Sequence, residues 1–237
     1  MSYKANPTTN PVVTTGASMR AAYSLPQAAG IMCVGITGGI GSGKSYVCAR
    51  LEAAGYPVFY CDDEAKRIIR TDSEVRQELR KIVGADVYDA EGRLVKSVLA
   101  AYLCRGREYA ARVDAVVHPR VARAFKERAE AMAADVNSKG AESVSVSLSA
   151  MSGPVTLDIL RQMPPARTLF MECALLFESG FNFLVHHTVL VHVSAETQIA
   201  RLMSRDRISR AKAMEWISLQ LTEDEKMALA DAYIINE

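Results

Sequence analysis

The sequence has little that would commit it to an extracellular, metal-bound or membrane-embedded life. Its five cysteines, Cys33, Cys48, Cys61, Cys104 and Cys173, are scattered over 237 residues. No two of them form C-x-x-C and the count is odd, so a disulfide framework and a zinc site are both poor readings. What remains is small apolar side chains in a reducing cytosol, and the expected location is cytoplasmic. Three of the histidines, His186, His187 and His192, show no ligand spacing. The net charge is only +1, so no global field recruits nucleic acid or an anionic membrane, and neither is expected as a partner. No apolar run approaches transmembrane length. The first 29 residues lack the apolar stretch of a secretory signal and are rich in Thr, Asn, Pro and Ala; they read as a flexible tail.

What is abundant is glycine, in one place. Residues 35–45, "GITGGIGSGKS", hold five glycines and end in Lys44 and Ser45. Glycine weakens strand and helix interiors alike, so packing does not explain it. Gly38, Gly43, Lys44 and Ser45 satisfy G-x-x-x-x-G-K-[ST]. In such a loop the backbone N–H groups cradle the β- and γ-phosphates of a nucleotide, the lysine adds charge and the serine hydroxyl reaches Mg²⁺. The nucleotide-binding set is Gly39, Ile40, Gly41, Ser42, Gly43, Lys44, Ser45 and Tyr46, with Ser45 the metal ligand and a nucleotide's phosphates with Mg²⁺ the expected occupants. The context fits: the apolar run "IMCVGI" before the loop reads as a buried strand, and "KSYVCARLEAAG" after it has helical spacing.

"YPVFYC" follows as a second strand, which makes a βαβ unit and an α/β class. Residues 63–133 then read as almost wholly helical, a substrate-facing subdomain rather than a simple crossover. Within it, "TDSE" at Thr71 has capping-box spacing, "DAEG" at Asp89 reads as a turn, and "HPR" at His118 puts Pro119 where a helix can begin. The serine-rich stretch beginning at Asn137 reads as a surface insert spanning residues 137–167. "RTLFMECALLF", "HTVLVHVS" and "AYIIN" supply the remaining strands, and residues 196–220 read as helical and basic at their centre. The expected fold is a P-loop NTPase-type parallel sheet flanked by helices, spanning residues 30–237.

Among P-loop proteins, a GTPase switch needs a guanine-reading N-K-x-D, which is absent, and a motor needs a long second domain. A short chain with a helical insertion and a basic late helix suits a small-molecule kinase. From about Ile31 to Asn236 the sequence resembles the dephospho-coenzyme A kinases. The resemblance is carried by "GITGGIGSGKS", by Asp62 eighteen residues after Lys44, by "VVHPRV" around His118, by "ALLFESG" from Ala174, by "ETQIARLMSRD" with Gln220, and by "ADAYIIN". It implies ATP-dependent phosphorylation of the ribose 3′-hydroxyl of dephospho-coenzyme A. It also implies lid roles for Arg201 and Arg205, with Arg207 adding to the patch, and acceptor contacts from Asp62, His118, Leu175 and Glu178. Arg201 and Arg205 are four apart and share a helix face, where guanidinium forks match a phosphoryl group in transfer.

Asp62 carries three readings: base for the ribose hydroxyl, Mg²⁺ partner through water at the end of a Walker-B-like strand, or plain helix N-cap. The chain also departs from the family pattern. The usual D-x-D is Tyr60-Cys61-Asp62, Tyr46 stands for a threonine, Ala174 stands for a proline, and the helix that usually follows the last strand does not precede Glu237. One sheet face is therefore expected to be covered otherwise or the chain to be shortened. A nucleotide or nucleoside kinase and a non-catalytic nucleotide-binding regulator are the alternatives.

Overall fold

The computed structural model describes residues 30–138 and 151–237. The tail at residues 1–29 and most of the serine-rich stretch lie outside the described residues. Strand β1, Met32–Thr37, runs into the glycine loop, and α1, Lys44–Glu52, leaves it. Then come β2 (Val58–Tyr60), α2 (Cys61–Thr71), α3 (Ser73–Ile82), α4 (Lys96–Leu103) and the long α5 (Arg107–Ser138). Past the undescribed stretch lie β3 (Gly153–Pro154), α6 (Leu157–Leu160), β4 (Thr168–Glu172) and β5 (His187–His192). Helices α7 (Ala195–Asp206) and α8 (Arg210–Ile217), the stretch expected as a lid, follow, then α9 (Glu223–Leu229) and β6 (Ala232–Ile235).

Among the described residues the strands form one sheet in the order β2-β4-β1-β5-β6-β3, and every pairing is parallel. The chain places β2 and β4 on one side of β1 and β5 and β6 on the other. The strand order thus reverses at the carboxyl end of β1, the place where open α/β sheets form their ligand crevice.

Both sheet faces are covered, as a parallel sheet requires. On one face Leu169 and Met171 of β4 pack with Ile68, Val75, Leu79, Val121 and Phe125 from the helical subdomain. On the other face Val34, Ile36 and Phe170 meet Val47, Cys48 and Leu51 of α1. Met151, Val155, Leu160 and Met163 join this second cluster and are buried. Residues 151–167, expected in a surface insert, are therefore partly core. Their apolar residues fill the sheet face beyond α1, each such burial stabilising by roughly 1.5–3 kcal/mol.

Three local expectations change. Pro119 does not start a helix but lies inside α5. Its missing N–H costs one ladder bond, and burial of Val117, Val121 and Phe125 along the same helix offsets it. Asp72, not Thr71, caps α3, its carboxylate accepting from the Glu74 and Val75 N–H groups, because Thr71 is still the last residue of α2. Cys104 is exposed, whereas the other four cysteines are buried, and all five are free. The Asp89 turn is as expected, with the Gly92 N–H donating to the Asp89 carbonyl at 2.9 Å. No helix among the described residues is long and apolar enough to cross a membrane.

Candidate active site

The glycine loop is fixed by backbone conformation and by what crowds it. Gly43 caps α1 with φ +92°, a left-handed geometry that side chains resist, and a Cβ there would run into the Asn236 amide. At Gly39 a Cβ would meet the Gln198 amide and come within 2.8 Å of the Glu223 carboxylate. The loop is glycine-rich for curvature and for close approach by three other segments. The N-terminus of α1 then aims its free N–H groups and its dipole at the crevice.

A cleft of about 750 Å³ opens there, lined by Gly41, Gly43, Lys44, Ser45, Thr197, Ala200, Arg201, Ser204 and Arg205. Loop and lid face each other across it, so the structure brings Lys44, Ser45, Arg201 and Arg205 together as the sequence led one to expect. The Lys44 ammonium is buried and donates to the carbonyls of Gly38 at 2.8 Å and Gly39 at 3.2 Å. Burial pushes its pKa down, and the nearby Glu172 carboxylate partly opposes that. Arg201 also braces the loop, donating to the Ser42 carbonyl at 3.3 Å and the Asn236 carbonyl at 2.8 Å. Arg205 is more exposed and pairs with Asp206 at 2.8 Å. Arg207 ends α7 in a left-handed conformation, φ +54°.

Not every residue of the expected loop set faces the cleft. Ser42 is fully buried, Ile40 packs beside the lid's apolar cluster of Ile199, Leu202 and Ala213, and Tyr46 is 55% exposed on α1.

Asp62 lies in the first turn of α2, its side chain 85% exposed and 3.5 Å from Lys66. It caps nothing: the residue before α2 is Tyr60, with no side-chain cap bond. The N-cap reading of Asp62 is thereby removed. His118 sits in α5 against Phe181, ring centroids 5.2 Å apart, and 3.5 Å from Asp114. Burial lowers the pKa of His118 and raises that of Asp114, each charge partly countering the shift of the other. Leu175 is 43% exposed. Glu178, expected on the pocket wall, is instead drawn toward α9: one carboxylate oxygen accepts from the Leu221 N–H at 3.0 Å.

The residue that sequence reasoning missed is Glu172. It ends β4, in register with Ile36 of β1 and Tyr60 of β2. Burial raises its pKa, with Lys44 opposing and Asp62 and Asp63 adding to the rise. The strand beside β1 is β4 and not β2, which puts the Glu172 carboxylate at the carboxyl end of the strand next to the glycine loop. The signal in the sequence was an acid ending an apolar strand; its adjacency to β1 was not written there. Tyr60, where the family pattern has an acid, turns its hydroxyl to Glu52 at 2.9 Å.

The oxygen donors fit a Mg²⁺ ion shared with phosphate. Magnesium takes one or two carboxylates plus phosphates and waters; Ser45 lines the cleft beside Lys44, and the Glu172 charge acts on the Lys44 ammonium. Among the described residues no three His, Cys, Asp or Glu side chains form a self-sufficient metal cluster.

Comparisons with known proteins agree with this geometry. The sequence profile of the dephospho-CoA kinase family matches residues 32–139 and 154–237. A dephospho-CoA kinase of Bacteroides fragilis is 35% identical over 204 residues, covering 86% of this chain and 84% of the relative. One from Salinibacter ruber is 33% identical, covering 86% and 88%. A crystal structure from Thermus thermophilus superposes with a TM-score of 0.62 at 29% identity, covering 87% of this chain and 89% of that one. With the loop, the lid and the sheet order already in place, the chain belongs to the dephospho-CoA kinase family.

Proposed function

We propose that the cleft between the glycine loop and the lid performs the donor half of dephospho-CoA phosphorylation and that the carboxyl end of β2 performs the acceptor half. The chain is a kinase that uses ATP and converts dephospho-CoA to CoA. The observation that carries the division of labour is the cleft itself, with Lys44 and Ser45 on one wall and Arg201 and Arg205 on the other.

On this reading the N–H groups at the start of α1 hold the β- and γ-phosphates, and Lys44 leaves its two carbonyl partners to neutralise them. Ser45 and Glu172 would hold Mg²⁺, which would supply charge neutralisation for the phosphates when bound. Arg201 and Arg205 meet the charge spread over the phosphoryl group in transfer. Asp62 accepts the proton of the ribose 3′-hydroxyl as oxygen attacks phosphorus. Its exposed position suits a group that must meet an incoming substrate. His118, whose pKa burial lowers, and Leu175 contribute to the acceptor's side, His118 as a hydrogen-bonding ring.

An acceptor screen in a coupled ADP assay tests the reading. ADP release with dephospho-CoA, and none above background with AMP or nucleosides, is expected. Turnover with a nucleoside in preference to dephospho-CoA would overturn it.

A further inference from the structure

Ile40, one residue of the glycine loop, is held on three sides by the segment that carries the lid. Its N–H donates to Gln220 Oε1 at 2.9 Å. Its carbonyl accepts from Gln198 Nε2 at 2.7 Å. Its side chain packs against Ile199, Leu202 and Ala213, the lid's own apolar cluster. Gln198 stands in the first turn of α7 and Gln220 just past the end of α8, so both ends of this segment are tied to one residue of the loop.

A glutamine amide can present either its oxygen or its NH₂, and its surroundings decide which. Behind Gln220 is a lysine, Lys226, only 1% exposed. Its ammonium is 3.5 Å from Gln220 Oε1 and 3.8 Å from the Glu223 carboxylate, with the Glu178 charge also acting on it. A buried ammonium is costly unless partners are held in place for it. Here two donors, the Ile40 N–H and the Lys226 ammonium, converge on one oxygen. Together they fix the amide with Oε1 toward the loop. Glu178 completes the frame by accepting from the Leu221 N–H, and its second carboxylate oxygen is buried without a hydrogen-bond partner.

We propose that Gln220 is a positioning residue for the phosphate-binding loop, oriented by the buried Lys226, and that this pair ties the base of the lid to the loop through the Ile40 N–H. It rests on the reading of the loop as the nucleotide site for its catalytic meaning, but the tie itself is a property of the free chain. Without Lys226 the amide is free to turn its NH₂ toward the Ile40 N–H, leaving a half-buried donor unpaired.

The test uses the full chain and two readouts. The first is amide hydrogen exchange of the peptide containing Ile40, in the absence of nucleotide. Gln220→Leu and Lys226→Met should each speed its exchange by about tenfold, the scale of one lost hydrogen bond. Gln220→Glu, which keeps an acceptor oxygen in either orientation, should restore slow exchange. The Lys226→Met effect should vanish in the Gln220→Leu background, because the lysine acts through the glutamine. The second readout is nucleotide affinity by calorimetry without acceptor: Gln220→Leu should weaken it by about tenfold while leaving KM for dephospho-CoA within about twofold. Unchanged exchange in Gln220→Leu, or independent and additive effects of the two substitutions, overturns the proposal. If Lys226→Met does not fold, the Leu and Glu variants at residue 220 decide it alone. A wild-type chain that phosphorylates no dephospho-CoA would sink the functional reading, and the exchange measurement would still decide the tie.

Discussion

The proposed donor and acceptor halves of this site are built in different ways. The donor half is over-determined. Its loop is short and local in sequence, yet Gln198, Arg201, Gln220 and Asn236, all from beyond residue 190, hydrogen-bond its backbone. The acceptor half is open. Asp62 has one exposed ion pair, and His118 leans on a single ring and a single carboxylate. The contrast matches what each half must do. Phosphates of fixed shape reward a rigid cradle whose donors are aimed in advance. An acceptor must enter and leave, and the groups that meet it can be ordered by its arrival.

Four substitutions probe the contrast. The largest expected effect is on the acceptor side. Asp62→Asn keeps the shape but cannot take a proton, and kcat should fall by roughly 10²–10⁴ with ATP affinity intact. Extra Mg²⁺ should not restore the rate; rescue by Mg²⁺ would move Asp62 to the donor half. Next, Lys44→Ala should cost about 10²–10³ in kcat and weaken ATP binding. Calorimetry should find acceptor affinity largely unchanged, and an equal loss of it would mean the halves are not separate. Third, Glu172→Gln should raise the Mg²⁺ needed for half-maximal rate by about 10–100-fold, with most of the rate recovered at high Mg²⁺. Because burial raises the Glu172 pKa, this carboxylate loses its charge at a higher pH than an ordinary one as pH falls. In the wild type the Mg²⁺ requirement should therefore climb on acidification before exposed carboxylates titrate, and a Mg²⁺ requirement flat with pH would count against the assignment. The smallest effect is structural: Asp72→Ala should lower stability by about 1 kcal/mol in urea unfolding through loss of the α3 cap, with kinetic constants unmoved. A change in kcat there would tie the helical subdomain more tightly to the chemistry than its geometry suggests.

The same contrast governs what the sequence made legible. β1, the loop and α1 are contiguous, and their chemistry is written in residue types at fixed spacing. Strand identities at "RTLFME" and "HTVLVH" were equally readable, because buried parallel strands are unbroken apolar runs. Adjacency was not. Nothing local says that β4 inserts between β2 and β1, and this one fact brings Glu172 to the strand end beside the loop and underlies its proposed metal role. Nor does spacing reveal that Gln198 and Gln220 meet on Ile40, or that Glu178 serves α9. Pro119 misled for a related reason: local propensity predicts a helix start, and tertiary burial along α5 overrules it.

The bond from Asn236 to the Ser42 carbonyl spans 194 residues and has a bearing on biosynthesis. A ribosome delivers the glycine loop early and Asn236 much later. Domains gain their non-local contacts only when the later segment has emerged. For most of translation the nascent chain thus carries a phosphate-binding motif that lacks one of its braces, as well as both glutamine ties and the Arg201 contact. The fully braced loop should therefore arrive late, when β6 docks beside β5.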